Sequence, residues 1–443
     1  MVLFRGLCAL LLVAAPLVTA QTIEESYAPP DRHPSLLLTP KRLRLLRRER
    51  ERQSPRWQQF EALISGNARM PEPGFALALY YQVSGDESAA RRALDWALGN
   101  DADLRQRALA FDWCAAAAPA QQSNQLAALL VRALERPPES NRIPEARARA
   151  FAALALAGRE PRLAERELRR IVVDWFRGSL APALAQGQSA VPRAELYALF
   201  ELLHAVRDGL TIDLRENARS YFRVLPAWDL LSYYPAIYPA PENEFRIPAV
   251  KDGEPDTRLA TLARAADLAM VAYDNNALQN QFLQGWLMHD RFIMRGPLGA
   301  PYEFLWANPY QPGLGYYNAP LAIHDDVHGR LFVRASWNDD ALWAGYFDGQ
   351  MQVFENGSAK VVPPGSARAL RIGEAVIAHV AAPAWPRFDT PLHQLFLVGL
   401  KPGRTYAIEA DQRELREQRA DPGGIVFLEF PGSFSGAVRI RER

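Results

Sequence analysis

Two stretches gather the side chains best suited to chemistry. The first runs Ser232-Tyr233-Tyr234-Pro235-Ala236-Ile237-Tyr238-Pro239, then through Glu242, Asn243, Glu244, Phe245 and Arg246 to Asp252-Gly253-Glu254-Pro255-Asp256. A tyrosine hydroxyl, with an ordinary pKa of about 10, serves as base or acid once a nearby cation lowers it. Tyr233, Tyr234 and Tyr238 all offer such a hydroxyl. Arg246 is the candidate to neutralise a carboxylate beside the reacting carbon. A long irregular stretch inside a helical array is where function is expected; the alternative is that these rings only pack the loop onto its helices.

The second stretch holds Trp286, His289, Asp290, Arg291, Arg295, Tyr302, Glu303, Trp306, Asn308, Tyr310, Tyr316, Tyr317 and Asn318. Rings that stack, alternating with planar hydrogen-bonding groups, are what sugar binding uses. His289 joins the catalytic candidates. Trp286, Arg291, Tyr302, Glu303, Trp306, Asn308, Tyr316, Tyr317 and Asn318 form the expected substrate-binding set. The same residues would also suit an aromatic interface between domains, and a cleft can combine the two. A third cluster, His324-Asp325-Asp326-Val327-His328, has imidazole and carboxylate groups that could ligate a metal at His324, Asp325 and His328. A solvated loop before a strand is the expected reading there, and no cofactor is expected. His204, His379 and His393 read as ordinary helix or strand residues.

The elements that must position these groups change character along the chain. From about residue 36 to 290 the pattern is helical. Thr39-Pro40 and Ser54-Pro55 each pair an N-cap with a proline at the first helical position. Gly85-Asp86 separates two helices as a C-cap followed by an N-cap. The Arg-rich run at 41–52, interleaved with Glu49 and Glu51, reads as a solvated helix face. From about residue 296, short apolar runs at 331–334, 342–347, 375–380, 395–398, 405–408, 425–430 and 437–440 read as strands, punctuated by turns such as Asn356-Gly357 and Pro402-Gly403. Helices first and strands afterwards imply two domains. The expected class is α+β: an α/α toroid-like helical domain over 21–295, a Gly/Pro-rich aromatic segment over 296–325, and a small antiparallel β-sandwich over 326–443. The segment Leu400-Lys401-Pro402-Gly403-Arg404-Thr405-Tyr406 resembles the corner-tyrosine stretch of fibronectin type III modules, where the Tyr ties a turn to its strand.

Composition narrows the partners. The 443 residues carry 51 Lys+Arg against 50 Asp+Glu, a balance that gives no support to a generic nucleic-acid or membrane-surface binder. Residues 1–20, with Arg5 before the apolar run 7–18, read as a signal peptide cleaved after Ala20. The run is short for a membrane span, which needs about 20 residues. Cys8 would leave with the leader, so Cys114 would stay alone, unable to form an internal disulfide. The expectation is a periplasmic or secreted protein with no membrane span, its oligomeric state left open.

The segment His33-Pro34-Ser35-Leu36-Leu37-Leu38-Thr39-Pro40, followed by an Arg/Leu helix and Pro55-Arg56-Trp57, resembles the heparinase II/III-like polysaccharide lyase family. So does the junction Leu331-Phe332-Val333-Arg334-Ala335-Ser336-Trp337-Asn338-Asp339-Asp340-Ala341. The resemblance implies β-elimination on uronic-acid glycans, an acidic polysaccharide as partner, and a helical-domain tyrosine as acid/base; Tyr-Tyr-x-x-x-Tyr at 233–238 resembles the catalytic tyrosine segment of alginate-lyase relatives, which makes Tyr234 or Tyr238 the acid/base candidate. It also implies a β-domain His in the stretch after the first β-domain strands, yet Tyr346–Lys360 contains none. Two other classes therefore stay open. One is a glycan-binding or envelope scaffold without activity. The other is a toroid-type glycoside hydrolase, which needs two opposed carboxylates that Asp252, Glu254, Asp256, Asp290 and Glu303 could supply.

Overall fold

The computed structural model describes residues 25–188, 191–239, 244–251, 256–289, 292–365, 369–410 and 414–443; of 238, 239, 244, 245 and 414 it describes the backbone alone. The expected leader, residues 1–20, lies outside the described residues. Helices come first: α1 (Pro40–Glu51), α2 (Pro55–Ser65), α3 (Pro73–Ser84), α4 (Glu87–Leu98), α5 (Leu104–Trp113), α6 (Ala120–Glu135), α7 (Ile143–Ala155), α8 (Pro161–Arg169), α9 (Ala181–Ala185), α10 (Arg193–Leu210), α11 (Arg219–Leu231), α12 (Thr257–Tyr273), α13 (Leu278–His289) and α14 (Gly299–Trp306). A hairpin of β1 (Tyr233–Pro239) and β2 (Glu244–Pro248) interrupts them, where the sequence reading expected an irregular loop. The remaining strands are β3 (Ala322–Asp325), β4 (Arg330–Arg334), β5 (Trp343–Phe347), β6 (Gln350–Glu355), β7 (Ser358–Val362), β8 (Leu370–Ile372), β9 (Ala375–His379), β10 (Arg387–Val398), β11 (Thr405–Ala410), β12 (Glu414–Arg419) and β13 (Val426–Glu442).

The helix starts follow from their caps. Thr39 accepts from the Arg42 amide, Ser54 from that of Trp57 and Asp86 from that of Ser88, each contributing about 1 kcal/mol. Gly85 ends α3 at φ 79°, the left-handed region that glycine enters without strain. Contacts run from α3 to α5, α5 to α7, α7 to α10, α10 to α12 and α12 to α14, and α14 returns to α2 and α3. One buried charge cluster among these helices is tightly paired. Arg105 lies between Glu72 (2.7 Å) and Glu201 (2.6 Å), and Glu201 also binds Arg147. α14 falls in the stretch expected to be a Gly/Pro-rich joint; instead it completes the sequence of helix contacts.

The β part has a five-stranded sheet, ordered β3-β4-β5-β6-β7, and a six-stranded sheet, ordered β12-β11-β13-β10-β9-β8. Pairing is antiparallel except between β9 and β10, which run parallel and so correct the all-antiparallel expectation. Strand alternation explains the layering. Leu331, Val333, Ala344 and Tyr346 pack with Ile377, Phe396 and Val398 of the other sheet. Their neighbours Phe332, Trp343, Phe347 and Phe354 join the helical core instead. The five-stranded sheet is thus buried on both faces at β4 and β5, where every residue is buried. Gly345 makes room for this: a Cβ there would meet the Trp343 ring at 2.5 Å. The Trp343 indole donates to the Leu231 carbonyl at 2.8 Å, tying β5 to the end of α11. Tyr406 is buried and its hydroxyl accepts from the Lys401 amide at 2.9 Å, the structural corner role.

Candidate functional site

One polar cleft opens where the β1–β2 hairpin and the end of α13 meet the five-stranded sheet. Tyr234, Pro235, Arg246, His289, Tyr316, Arg334 and Trp337 line it above a floor of Tyr233 and Trp286. Arg246 comes from β2, opposite Ile237 in the hairpin register, and Arg334 from the last position of β4. Arg246 donates to the Pro235 carbonyl at 2.6 Å and to Asp339 at 2.9 Å. Arg334 donates to the Ser336 carbonyl at 2.7 Å and lies 4.2 Å over the Trp337 ring. Burial, and then the like charge of Arg246, push the Arg334 pKa down to about 10. An anion between the two guanidinium groups would offset that disfavour of the Arg334 charge. Trp337 adds a buried indole N–H with no partner among the described residues.

The rings are arranged to hold this space open on one side only. Tyr316 meets His289 at 5.2 Å, Trp337 at 5.4 Å edge-on, and Tyr317 at 5.9 Å. His289 is exposed at the end of α13, and Tyr317 is 67% exposed. The gap between the lining groups is narrow, about 10 Å³. That is about the room of one water.

Beneath the floor sits a buried carboxyl pair. The Tyr233 hydroxyl donates to Asp267 at 2.7 Å, and Arg193 binds Asp229 at 2.7 Å. Burial, and next the Asp229 charge, hold the Asp267 carboxyl well above the usual carboxylate range. Asp267 therefore keeps its proton and shares it with Asp229, the ion-pair partner of Arg193.

Several expected site residues are placed otherwise. Tyr234 borders the same cleft, but its ring packs against Trp343 and Phe354 and its hydroxyl donates to Gln352 at 2.6 Å. Burial pushes its pKa up to about 12, opposite to the cation-lowered tyrosine that acid/base work requires. Tyr302, Glu303 and Trp306 are buried in α14, so none can meet a glycan at the surface. Tyr302 donates to Glu72, Trp306 to Tyr197 at 3.0 Å, and Glu303 is held between Arg56 (3.1 Å) and Arg264 (2.9 Å). Asn308 shapes a turn by accepting from the Tyr310 amide. Asn318 is exposed at the end of the short turn that carries Tyr316 and Tyr317. The Tyr238 side chain and Arg291 lie outside the described residues, as do Asp252, Glu254 and Asp290; Asp256 caps α12. Among the metal candidates, His324 binds Asp421 at 2.9 Å, while His328 binds Asp325 at 2.9 Å and the Leu184 carbonyl. Among the described residues no group of three His, Cys, Asp or Glu is placed to hold a metal ion. Arg334 and Trp337 were not singled out as site residues. The available signal was a strand bracketed by arginine at both ends, Arg330-Leu331-Phe332-Val333-Arg334.

No protein-family model and no curated protein matches this chain. Among solved structures, a chain named a glycoside hydrolase aligns with 84% of this chain and 71% of its own length, at a TM-score of 0.31 and 10% identity. The heparinase II/III-like resemblance rests on the quoted segments alone. No helix among the described residues is long and apolar enough to cross a membrane.

Proposed function

We propose that this chain is an exported protein that recognises a carboxylate-bearing saccharide, a uronic-acid glycan, at the cleft between Arg246 and Arg334. The observation that carries the reading is the convergence of those two guanidinium groups on one narrow opening with aromatic rings at its mouth. A carboxylate entering there would pair with both cations and with the Trp337 N–H, while the sugar ring stacks outside on Tyr317 and His289. The closed order of helix contacts supports an α/α toroid as the scaffold. β-Elimination is the reaction such a clamp would serve, because neutralising the carboxylate acidifies the proton on the adjacent carbon. His289 and Tyr316 are then the groups within reach to take that proton and return one to the leaving oxygen.

A second reading, binding without turnover, is favoured by Tyr234. Its hydroxyl is committed to Gln352 and its pKa is raised, so the tyrosine expected to act is not poised. Incubating the purified protein with a panel of uronate polymers separates the two. Unsaturated-product absorbance supports elimination, and binding without product supports the scaffold reading. New reducing ends without that absorbance would indicate hydrolysis. Arg334→Met is expected to weaken binding at least about 10-fold, in line with a lost charged hydrogen-bond partner. Unchanged affinity in that variant, or no binding to any uronate polymer, would remove the proposal.

A further inference from the structure

A second cleft lies along the same seam, bounded by the start of α10, the end of α11, the exit of the hairpin, and strands β4 and β5. It encloses about 400 Å³ and is lined by Arg193, Trp228, Lys251, Arg330, Phe347 and Asp348, among others. Two guanidinium groups reach one indole there: Arg330 lies 4.4 Å from the Trp228 ring and Arg193 5.2 Å from it. Arg330 is only 7% exposed, and its guanidinium has no hydrogen-bond or ion-pair partner among the described residues. Its nitrogens open onto the cleft, where an incoming acceptor can reach them. Arg193 is spoken for on one side by Asp229 and Ser232, but its Nη1 is buried with no partner among the described residues. The 18-residue helix α10 begins in this cleft at Pro192, with no side-chain cap, so its partial positive end adds to the field. Lys251 stands exposed at the mouth. The acidic groups nearby are Asp229 behind Arg193, Glu195 in the first turn of α10, where Arg142 pairs with it, Asp325 bound to His328 beside Arg330, and Asp348 at the mouth.

We propose that this cleft is an anion site for a sulfate or phosphate group carried on a small organic body such as a sugar. Donors converge from four directions: the two guanidinium groups, the Lys251 ammonium and the first turn of α10. That geometry suits a tetrahedral oxyanion, with its several acceptor oxygens, better than a planar carboxylate with two. The space exceeds what a bare ion fills, and Trp228 and Phe347 supply walls for the rest of the molecule. The site is independent of the carboxylate cleft, because Arg246 and Arg334 take no part in it. A ligand here would touch both the helical part and the β part, and so would hold them together.

The test is the thermal midpoint of the full chain in sodium sulfate, sodium phosphate and sodium acetate, each against sodium chloride of equal ionic strength. Sulfate stabilises proteins without a site, so the informative quantity is the shift in wild type minus the shift in Arg330→Gln. The expected result is an excess of a few degrees for sulfate and for phosphate in wild type, absent in Arg330→Gln and reduced in Lys251→Glu. A larger effect for one oxyanion identifies which group the site prefers. Equal shifts in wild type and Arg330→Gln, or an acetate effect as large as the others, overturn the proposal. Should Arg330→Gln fail to fold, Lys251→Glu, at an exposed position, carries the comparison. Crystals soaked in selenate give a second readout: an anomalous peak beside Arg330 supports the site, and peaks only elsewhere overturn it.

Discussion

Arg330 and Arg334 leave the same face of β4, four residues apart, and end in different clefts. Phe332 sits between them and packs into the helical core, so the strand carries one apolar anchor with a guanidinium on either side. The helical part receives each cation with aromatic surface: Trp228 beneath Arg330, and Tyr316, beside Trp337, near Arg334. This seam is where the polar groups of the two parts meet. Its rigidity comes from direct bonds across it, Trp343 to the Leu231 carbonyl and Gln352 to the Val250 carbonyl at 2.9 Å.

The Asp229–Asp267 pair makes two similar substitutions behave differently. Asp267 holds its proton in the native state, so Asp267→Asn replaces a neutral group by a neutral isostere that can still accept from Tyr233 and donate to Asp229. Its cost is expected to stay within about 1 kcal/mol. Asp229→Asn removes the counter-charge of buried Arg193, and about 3–5 kcal/mol is expected. Urea unfolding of both variants checks the contrast. Equal costs would mean that the proton is not held on Asp267.

Much of this fold is readable from local chemistry. Thr39-Pro40, Ser54-Pro55 and Gly85-Asp86 mark helix ends because caps depend on residues three or four apart. The strands at 331–334, 375–380 and 405–408 are visible from their apolar runs. The β1–β2 hairpin is not visible, since prolines at 235 and 239 argue against a strand and pairing alone makes it one. The parallel β9–β10 pair depends on a crossover that no local pattern specifies. At the site, Tyr234, Arg246, Trp286, His289 and Tyr316 are all legible as candidates and all border one cleft. Glu303 misled because its partners, Arg56 and Arg264, lie 247 and 39 residues away in sequence, so a buried ion pair looked like a sugar-binding carboxylate. Tyr234 misled for the same kind of reason: Gln352 and Phe354, which decide its chemistry, come from the far side of the seam.

Glu201 offers a stability measurement inside the helical ring. Its carboxylate is fully buried between Arg105 and Arg147, and those two charges hold it ionised against its burial. Glu201→Gln would leave two guanidinium groups short of a counter-charge, and a loss of about 3–5 kcal/mol is expected by chemical denaturation. A loss below about 1 kcal/mol would show that Glu72, the other partner of Arg105, suffices.

His33 ties the N-terminal segment to α5 through Asp112 at 2.6 Å. The hydrogen bond to Asp112 raises the imidazole pKa, against the opposing effect of burial. A raised folded-state value means that the protonated form is favoured by folding. The contribution is fully present below the unfolded value of about 6.5 and fades as pH rises through the folded value. The midpoint difference between wild type and His33→Gln should therefore be larger near about pH 5.5 than near about pH 9. A difference independent of pH would show that the contact is held by the neutral ring.

Tyr234→Phe tests whether the hydroxyl bonded to Gln352 takes any part in chemistry. The hydroxyl donates to Gln352, whose amide also reaches the Val250 carbonyl, so the variant should lose about 1 kcal/mol of stability. If the hydroxyl has no part in chemistry, binding to a uronate polymer should be unchanged, and any turnover should stay within about 2-fold of wild type. His289→Ala, by contrast, removes an exposed ring at the mouth and should reduce any turnover sharply with little change in unfolding. The decisive result is the pair read together. A fall of about 100-fold in Tyr234→Phe with its unfolding curve intact, alongside an active His289→Ala, would return Tyr234 to the acid/base role. It would also require the Tyr234–Gln352 bond to open when the glycan binds.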